Sequence, residues 1–166
     1  MITSTKFNMG PMADTAEFYR RGYWQDRLTV DYFDEHAVAH PGKAALIDNR
    51  GTLTYGELAA RTRNLAAALI RLGIGSGDVV GVLSPNWSEL PISHLALDRI
   101  GAIFLPLHDG FRREELCSLL SQSRAKALIY PASYHGFDYR VLVEELRLGL
   151  PDLRLLIVMR APPIGG

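Results

Sequence analysis

Between residues 79 and 159, four short runs are apolar at nearly every position: 79–83, 102–107, 125–130 and 153–159. The segments between them, 87–100, 112–121 and 138–148, instead repeat their apolar residues every three to four positions; Leu90, His94, Leu95 and Leu97 mark the turns of the first. A run without alternation is hydrophobic on both faces, which suits a strand covered on both sides in a parallel sheet. Such strands alternating with helices imply right-handed βαβ crossovers. The predicted fold is therefore α/β and doubly wound, with a mainly parallel sheet. The repeat of about twenty-five residues is the βα unit recurring, not a solenoid.

Upstream the pattern is different. Tyr32, Phe33, His36 and Ala37 fall on one face of a helix predicted over 29–40, which Pro41-Gly42 ends. Residues 44–48 and 52–54 read as two short strands around the turn Asn49-Arg50-Gly51. Thr54 stands three residues before Glu57, the spacing of a capping box, and opens a helix with Leu58, Leu65, Leu69 and Leu72 on its stripe. Gly73 follows in the position where glycine stops helices. Phe18, Tyr19, Tyr23 and Trp24 interleave with Arg20, Arg21 and Arg27, a pattern expected to form a short amphipathic helix with its rings packed on the domain. The organisation predicted is a flexible arm at 1–14, one α/β unit at 15–160, and a Pro/Gly linker at 161–166.

Charge removes several function classes. The 166 residues carry 18 basic and 18 acidic side chains, a formal net charge of zero. That balance gives no electrostatic case for nucleic acid or an anionic membrane. No stretch approaches the ~20 apolar residues a membrane span requires. The single cysteine, Cys117, excludes an internal disulfide framework and a multi-cysteine zinc site, and a reducing, cytoplasmic setting is expected. Cys117 lies mid-helix beside Leu116 and Leu119, where a buried thiol is expected.

Gly73-Ile74-Gly75-Ser76-Gly77 has the composition of a phosphate loop but the wrong position. It follows a helix and precedes a strand, whereas a phosphate-cradling run follows a strand and opens a helix. Open parallel sheets bind ligands beyond the carboxyl ends of their strands. Here those ends read Ser84-Pro85-Asn86-Trp87, Leu107-His108-Asp109-Gly110-Phe111, Tyr130-Pro131-Ala132-Ser133, and Arg160 onward. Asn86 or Ser88 is expected to cap the helix that follows. His108 beside Asp109 has the makings of an acid–base pair, but no Ser or Cys nucleophile adjoins it, and loop capping by Asp109 is the competing role. His36, His40, His94 and His135 lack the paired spacing of metal ligands. On residues alone there is no catalytic residue and no metal site to nominate.

The run Leu53-Thr54-Tyr55-Gly56-Glu57-Leu58, then Asn64 to Leu69, then Leu72-Gly73-Ile74-Gly75-Ser76-Gly77-Asp78-Val79-Val80 resembles the opening of the adenylate-forming superfamily. Ser84-Pro85-Asn86, Arg99-Ile100-Gly101-Ala102, Leu105-Pro106-Leu107, Glu114-Glu115-Leu116 and Ser123-Arg124-Ala125-Lys126 continue the resemblance in order. Each motif is unspecific, but their ordered succession from about residue 44 to 130 is not. Tyr19-Arg20-Arg21-Gly22-Tyr23-Trp24, Gly136 to Arg140 and Pro151-Asp152-Leu153 are similar to the branch that activates aryl acids such as dihydroxybenzoate and alicyclic acids such as cyclohexanecarboxylate, with medium-chain acyl-CoA ligases close by.

The resemblance implies a two-step reaction. A small carboxylic acid and ATP-Mg give an acyl-adenylate, and a thiol, usually coenzyme A, takes the acyl group. It implies a Ser/Thr/Gly-rich phosphate loop with a lysine and a late catalytic lysine, neither of which this chain contains. Lys6, Lys43 and Lys126 stand in other contexts. The chain alone is thus expected to be inactive and to bind neither ATP nor CoA tightly. In CoA-dependent relatives the loop after the second of the four strands lies near the CoA nucleotide. Here that loop is His108-Asp109-Gly110-Phe111, with Gly110-Phe111 the best-matched pair; glycine there lets the backbone approach a ligand closely. Exposed sheet edges predict dimerisation. The rival readings are a naturally truncated, non-catalytic interaction module and a flavodoxin-like signalling domain. The latter lacks the aspartate cluster it needs, since Ser84, Asp109 and Tyr130 mark three successive strand ends.

Overall fold

A computed structural model describes residues 15–161; the predicted arm at 1–14 and residues 162–166 of the predicted linker lie outside them. The order is α1 (Thr15–Arg20), α2 (Thr29–Ala39), β1 (Ala44–Asp48), β2 (Gly51–Thr54), α3 (Tyr55–Arg71), β3 (Val79–Leu83), α4 (Glu89–Arg99), β4 (Ile103–Leu107), α5 (Arg113–Gln122), β5 (Ala127–Pro131), β6 (Ser133–Tyr134), β7 (Phe137–Asp138), α6 (Tyr139–Arg147) and β8 (Leu155–Met159). The four apolar runs are β3, β4, β5 and β8, and they pair in the order β4-β3-β5-β8, every pair parallel.

Both faces of this sheet are covered. On one, Leu83, Leu107 and Leu128 pack with Leu116 and Leu120 of α5 and Tyr139, Val143 and Leu146 of α6. On the other, Val80, Val82, Ala127 and Ile129 pack with Ala66 and Leu69 of α3 and Ala96 and Leu97 of α4. Successive strand residues point to opposite faces, so a strand without polar positions feeds both layers. β5 is buried along its whole length, whereas the edge strand β4 leaves Ile103 and Pro106 exposed. The doubly wound reading holds.

Helix ends follow the expected chemistry where side chains can supply it. Thr54 Oγ1 accepts the Glu57 N–H at 3.2 Å, and Glu57 Oε2 accepts the Thr54 N–H at 2.8 Å, completing the capping box of α3. Gly73, at φ +83°, turns the chain off α3, and the Ile74 N–H returns to Leu69 O at 3.0 Å. The glycine run is thus a helix stop and turn. Ser88 occupies the N-cap of α4 but makes no side-chain cap, because its backbone is already helical; its N–H instead donates to Asp48 Oδ2 at 3.2 Å. At α5 the capping carboxylate is Glu115, which accepts the Arg112 N–H at 3.1 Å, so Asp109 does not cap it.

The amino-terminal segment also departs from expectation. α1 has only six residues, and Tyr19, Tyr23 and Trp24 remain about half exposed or more. Their rings pack on one another and on Phe18. Cys117 is half-buried against the α5–α6 core, short of fully buried.

α2 is held to α4 by a fork of two 2.7 Å bonds from Arg99 to Asp34. At its far end His36 lies between His40 and Tyr55, ring centroids 4.7 and 4.4 Å away, with its Nε2 buried and unpaired. Burial, with the His40 and Lys43 charges beside it, holds the His36 imidazole below its usual 6.5. A histidine whose folded pKa is depressed binds its proton more readily unfolded, so the fold loses stability as the pH drops below that usual value. Urea midpoints at about pH 7.5 and about pH 5.5 should differ more for the natural chain than for His36→Phe, which keeps the ring and discards the proton.

Candidate functional site

Helices leave this sheet on opposite faces after β3 and β5, so its topological switch point lies between the carboxyl ends of those two strands. Two aromatic residues meet there. Trp87, just past β3, stands edge-on to Tyr134, just past β5, at 5.5 Å between centroids. Tyr134 belongs to the tight β6–β7 hairpin, whose central residues His135 (φ +48°) and Gly136 (φ +78°) are both left-handed, as a type I′ turn requires. The Tyr134 and His135 rings stack at 3.9 Å and 17°.

The predicted loop His108–Phe111 faces this hairpin. Nδ1 of His108 accepts the Gly110 N–H at 2.9 Å and lies 3.3 Å from Asp109 Oδ1. A neutral imidazole whose Nδ1 is an acceptor carries its proton on Nε2, away from the carboxylate. The pair is therefore a brace for a turn, closed by a 3.0 Å bond from the Phe111 N–H to His108 O, and not an acid–base relay. A Cβ at Gly110 would lie 2.9 Å from His108 Nδ1, so a larger residue there would displace the His108 ring from its bond to the Gly110 N–H.

Two side chains from outside the loop fix it. The Tyr139 hydroxyl donates to Asp109 O at 2.6 Å, and burial pushes its phenol up, so it remains a donor. Arg112 Nη1 donates to Asp109 O at 3.0 Å and Phe111 O at 2.9 Å while its guanidinium lies 4.3 Å from the Phe137 ring centre. Between loop and hairpin is a cleft of about 160 Å³ lined by Asp109, Gly110, Arg112, Tyr134, His135 and Phe137, with Tyr139 at its base. Asp109 and Gly110 line it; His108 stands 73% exposed beside it, and Phe111 turns toward the core. Periodicity could not single out Tyr134 or Phe137, since a two-residue strand has no alternation, nor Arg112, which stands between β4 and α5; His-Gly between aromatic residues is the available turn signal.

Arg160 closes the far end of the same edge. Its side chain is 8% exposed, its backbone is left-handed at φ +51°, and it forks onto Glu89 at 2.7 and 2.8 Å. It also reaches Asp48 Oδ2 at 2.9 Å and stacks 3.8 Å above Trp87. The Arg50 and Ser88 N–H groups, with Arg160, hold the Asp48 carboxyl well below the ordinary range. Burial pushes Glu89 up, but the Arg160 bonds outweigh it and its pKa is lowered.

A larger cleft, about 380 Å³, lies at the amino ends of the strands. Its chemistry is structural: Lys126 Nζ bridges Gly73 O and Asp78 Oδ2 at 2.7 Å each, and Arg124 meets Asp152 at 3.3 Å. Lys126 is thus committed away from any phosphate. Among the described residues no three His, Cys, Asp or Glu gather as metal ligands, and no helix is long and apolar enough to cross a membrane.

The family of AMP-binding enzymes matches residues 33–162. The vibriobactin-specific 2,3-dihydroxybenzoate-AMP ligase of Vibrio cholerae is 33% identical over 158 residues, 93% of this chain and 28% of that protein. A medium-chain fatty-acid–CoA ligase of Escherichia coli is 32% identical over 86% of this chain and 25% of its own length. Among solved structures, apo MbtA of Mycobacterium smegmatis superposes with a TM-score of 0.79 at 32% identity, over 88% of this chain and 27% of that one. The chain thus spans about a quarter of its relatives' length. An ordered series of short motifs, a four-stranded parallel sheet and matches across nearly the whole chain agree: it belongs to the AMP-binding, adenylate-forming enzyme family.

Proposed function

We propose that this chain forms the N-terminal α/β portion of an ATP-dependent acid–thiol ligase. In the first step a carboxylate oxygen attacks the α-phosphorus of ATP-Mg and pyrophosphate leaves. In the second, the thiol of coenzyme A attacks the acyl carbon and AMP leaves. The observation that carries this reading is identity of about a third, over most of the chain, to enzymes named for both kinds of product, aryl-acid adenylates and acyl-CoA thioesters. The acids favoured are aryl, alicyclic or medium-chain, and the setting is cytoplasmic.

Within that enzyme the described residues serve architecture and the thiol acceptor. The cleft between His108–Phe111 and the β6–β7 hairpin fits the acceptor's nucleotide in kind: flat rings for a base and one guanidinium for a phosphate. Lys126 is bonded to Gly73 and Asp78, and no adenylation step derives from the described residues.

The test is carboxylate-dependent ATP–pyrophosphate exchange across a panel of fatty, alicyclic and aryl acids. The ligase carrying this chain should exchange with at least one acid, and the 166-residue chain alone with none. Pyrophosphate release by the pure short chain above background would overturn the assignment of roles. Silence of the longer protein toward every acid would overturn the function.

A further inference from the structure

We infer that Arg160 is a positioning residue for the cleft between the His108–Phe111 loop and the β6–β7 hairpin, acting on it through Trp87 and Tyr134. The inference rests on reading that cleft as the site of the acceptor's nucleotide.

Arg160 lies outside the cleft, yet its stacking face bears on the cleft's wall. Its guanidinium carbon lies over the Trp87 ring, 3.8 Å from the centroid, and the Trp87 ring is edge-on to Tyr134 at 5.5 Å. Tyr134 in turn stacks on His135, and both line the cleft. The backbone repeats the linkage: Ala132, at the base of the hairpin, donates its N–H to O of Met159, the residue before Arg160, at 3.0 Å.

The other side of the guanidinium is fixed. Two carboxylates from separate elements, Glu89 of α4 and Asp48 of β1, hold it with three bonds of 2.7 to 2.9 Å, and Asn49 Oδ1 adds a fourth at 3.2 Å. A planar fork satisfied on its edge still has its face free to stack, which an ammonium cannot imitate. The left-handed backbone at Arg160 has no glycine to ease it, a conformation that persists only where its surroundings over-determine it. The clamp sets the plane of Trp87, and Trp87 leaves Tyr134 one orientation. A base stacking against the Tyr134–His135 pair then meets a wall already in place, so its ordering cost is not charged against binding.

The experiment uses the complete ligase, with adenosine 3′,5′-bisphosphate as probe of the acceptor cleft and ATP as control, both by calorimetry. Tyr134→Leu, Arg160→Met and Trp87→Leu should each weaken the bisphosphate about tenfold, the loss of one stacking contact. Each should leave ATP within about twofold, a difference too small to count as a lost contact. Arg160→Lys should behave like Arg160→Met, since charge without the stacked fork does not place Trp87. The Arg160→Met/Tyr134→Leu double variant should bind no worse than Tyr134→Leu alone, because one acts through the other. If Tyr134→Leu weakens the probe but neither Arg160→Met nor Trp87→Leu does, the positioning role is wrong and the cleft reading stands. If Tyr134→Leu has no effect, the cleft reading itself falls and the inference with it. Equal losses toward bisphosphate and ATP would reduce Arg160 to a structural residue. Trp87→Leu, at a half-buried position, decides the question should both Arg160 variants fail to fold.

Discussion

Gly81→Val is expected to leave no stable folded chain, and Gly81→Ala to fold with a clear loss of stability. Gly81 sits mid-way along β3, paired with Leu105 of β4 on one side and Leu128 of β5 on the other. A Cβ at this position would come within 2.9 Å of Leu120, 3.1 Å of Leu107 and 3.1 Å of Leu128. Leu107, Leu120 and Leu128 are themselves buried in the α5–α6 core, so none can swing into solvent. One inserted methyl in a close-packed core costs about 1–3 kcal/mol, and the two further carbons of valine exceed what local shifts relieve. Against a total stability of about 5–15 kcal/mol that is decisive for the larger substitution. Urea unfolding of Gly81→Ala measures the first step. Adding Leu120→Ala should recover part of the loss, since removing the nearest side chain makes room for the new methyl. A Gly81→Ala chain as stable as the natural one would show that the sheet has slack there.

The case of Gly81 marks where sequence reading reaches its limit in this fold. The run Val79–Leu83 is legible as a strand because no polar residue interrupts it, and the same holds for β4, β5 and β8, although the edge strand β4 leaves Ile103 and Pro106 exposed. The Thr54/Glu57 box and the Gly73 stop were legible because each satisfies backbone groups within a few residues of itself. The need for glycine at 81 comes instead from leucines 26, 39 and 47 positions away, and no local pattern encodes that. The site divides in the same way. Strand carboxyl ends direct attention to one edge of the sheet, and family resemblance to His108–Phe111 within it. Arg112, Tyr134, Phe137 and Tyr139 complete the cleft only through the hairpin. Arg160 gains its meaning from Asp48, Trp87 and Glu89, none of them near it in the chain. Ser88 and Asp109 suit capping by residue type, but backbone geometry decides: Ser88 is already helical, and the cap of α5 falls at Arg112 with Glu115, three residues past Asp109.

Tyr139 carries the second large effect, and its two substitutions separate packing from anchoring. The ring is 1% exposed, packs within the α5–α6 core and meets Phe137 edge-on at 4.8 Å. Truncation to alanine removes a buried aromatic and leaves a cavity under the cleft, a loss of about 3–5 kcal/mol in urea unfolding. Tyr139→Phe keeps the ring and deletes only the donor to Asp109 O, which retains its bond from Arg112. That change should cost about 0.5–1.5 kcal/mol, the net value of one hydrogen bond. Its distinctive mark should be local. The Gly110 and Phe111 amides, which donate to His108 Nδ1 and His108 O, should exchange with solvent faster in Tyr139→Phe while amides of the central strand β3 barely change. Unchanged exchange at both amides would mean that Arg112 alone holds the loop. A loss in Tyr139→Phe matching that of alanine would shift the weight from the ring to the hydroxyl, making the bond from α6 to the loop the main support of this edge.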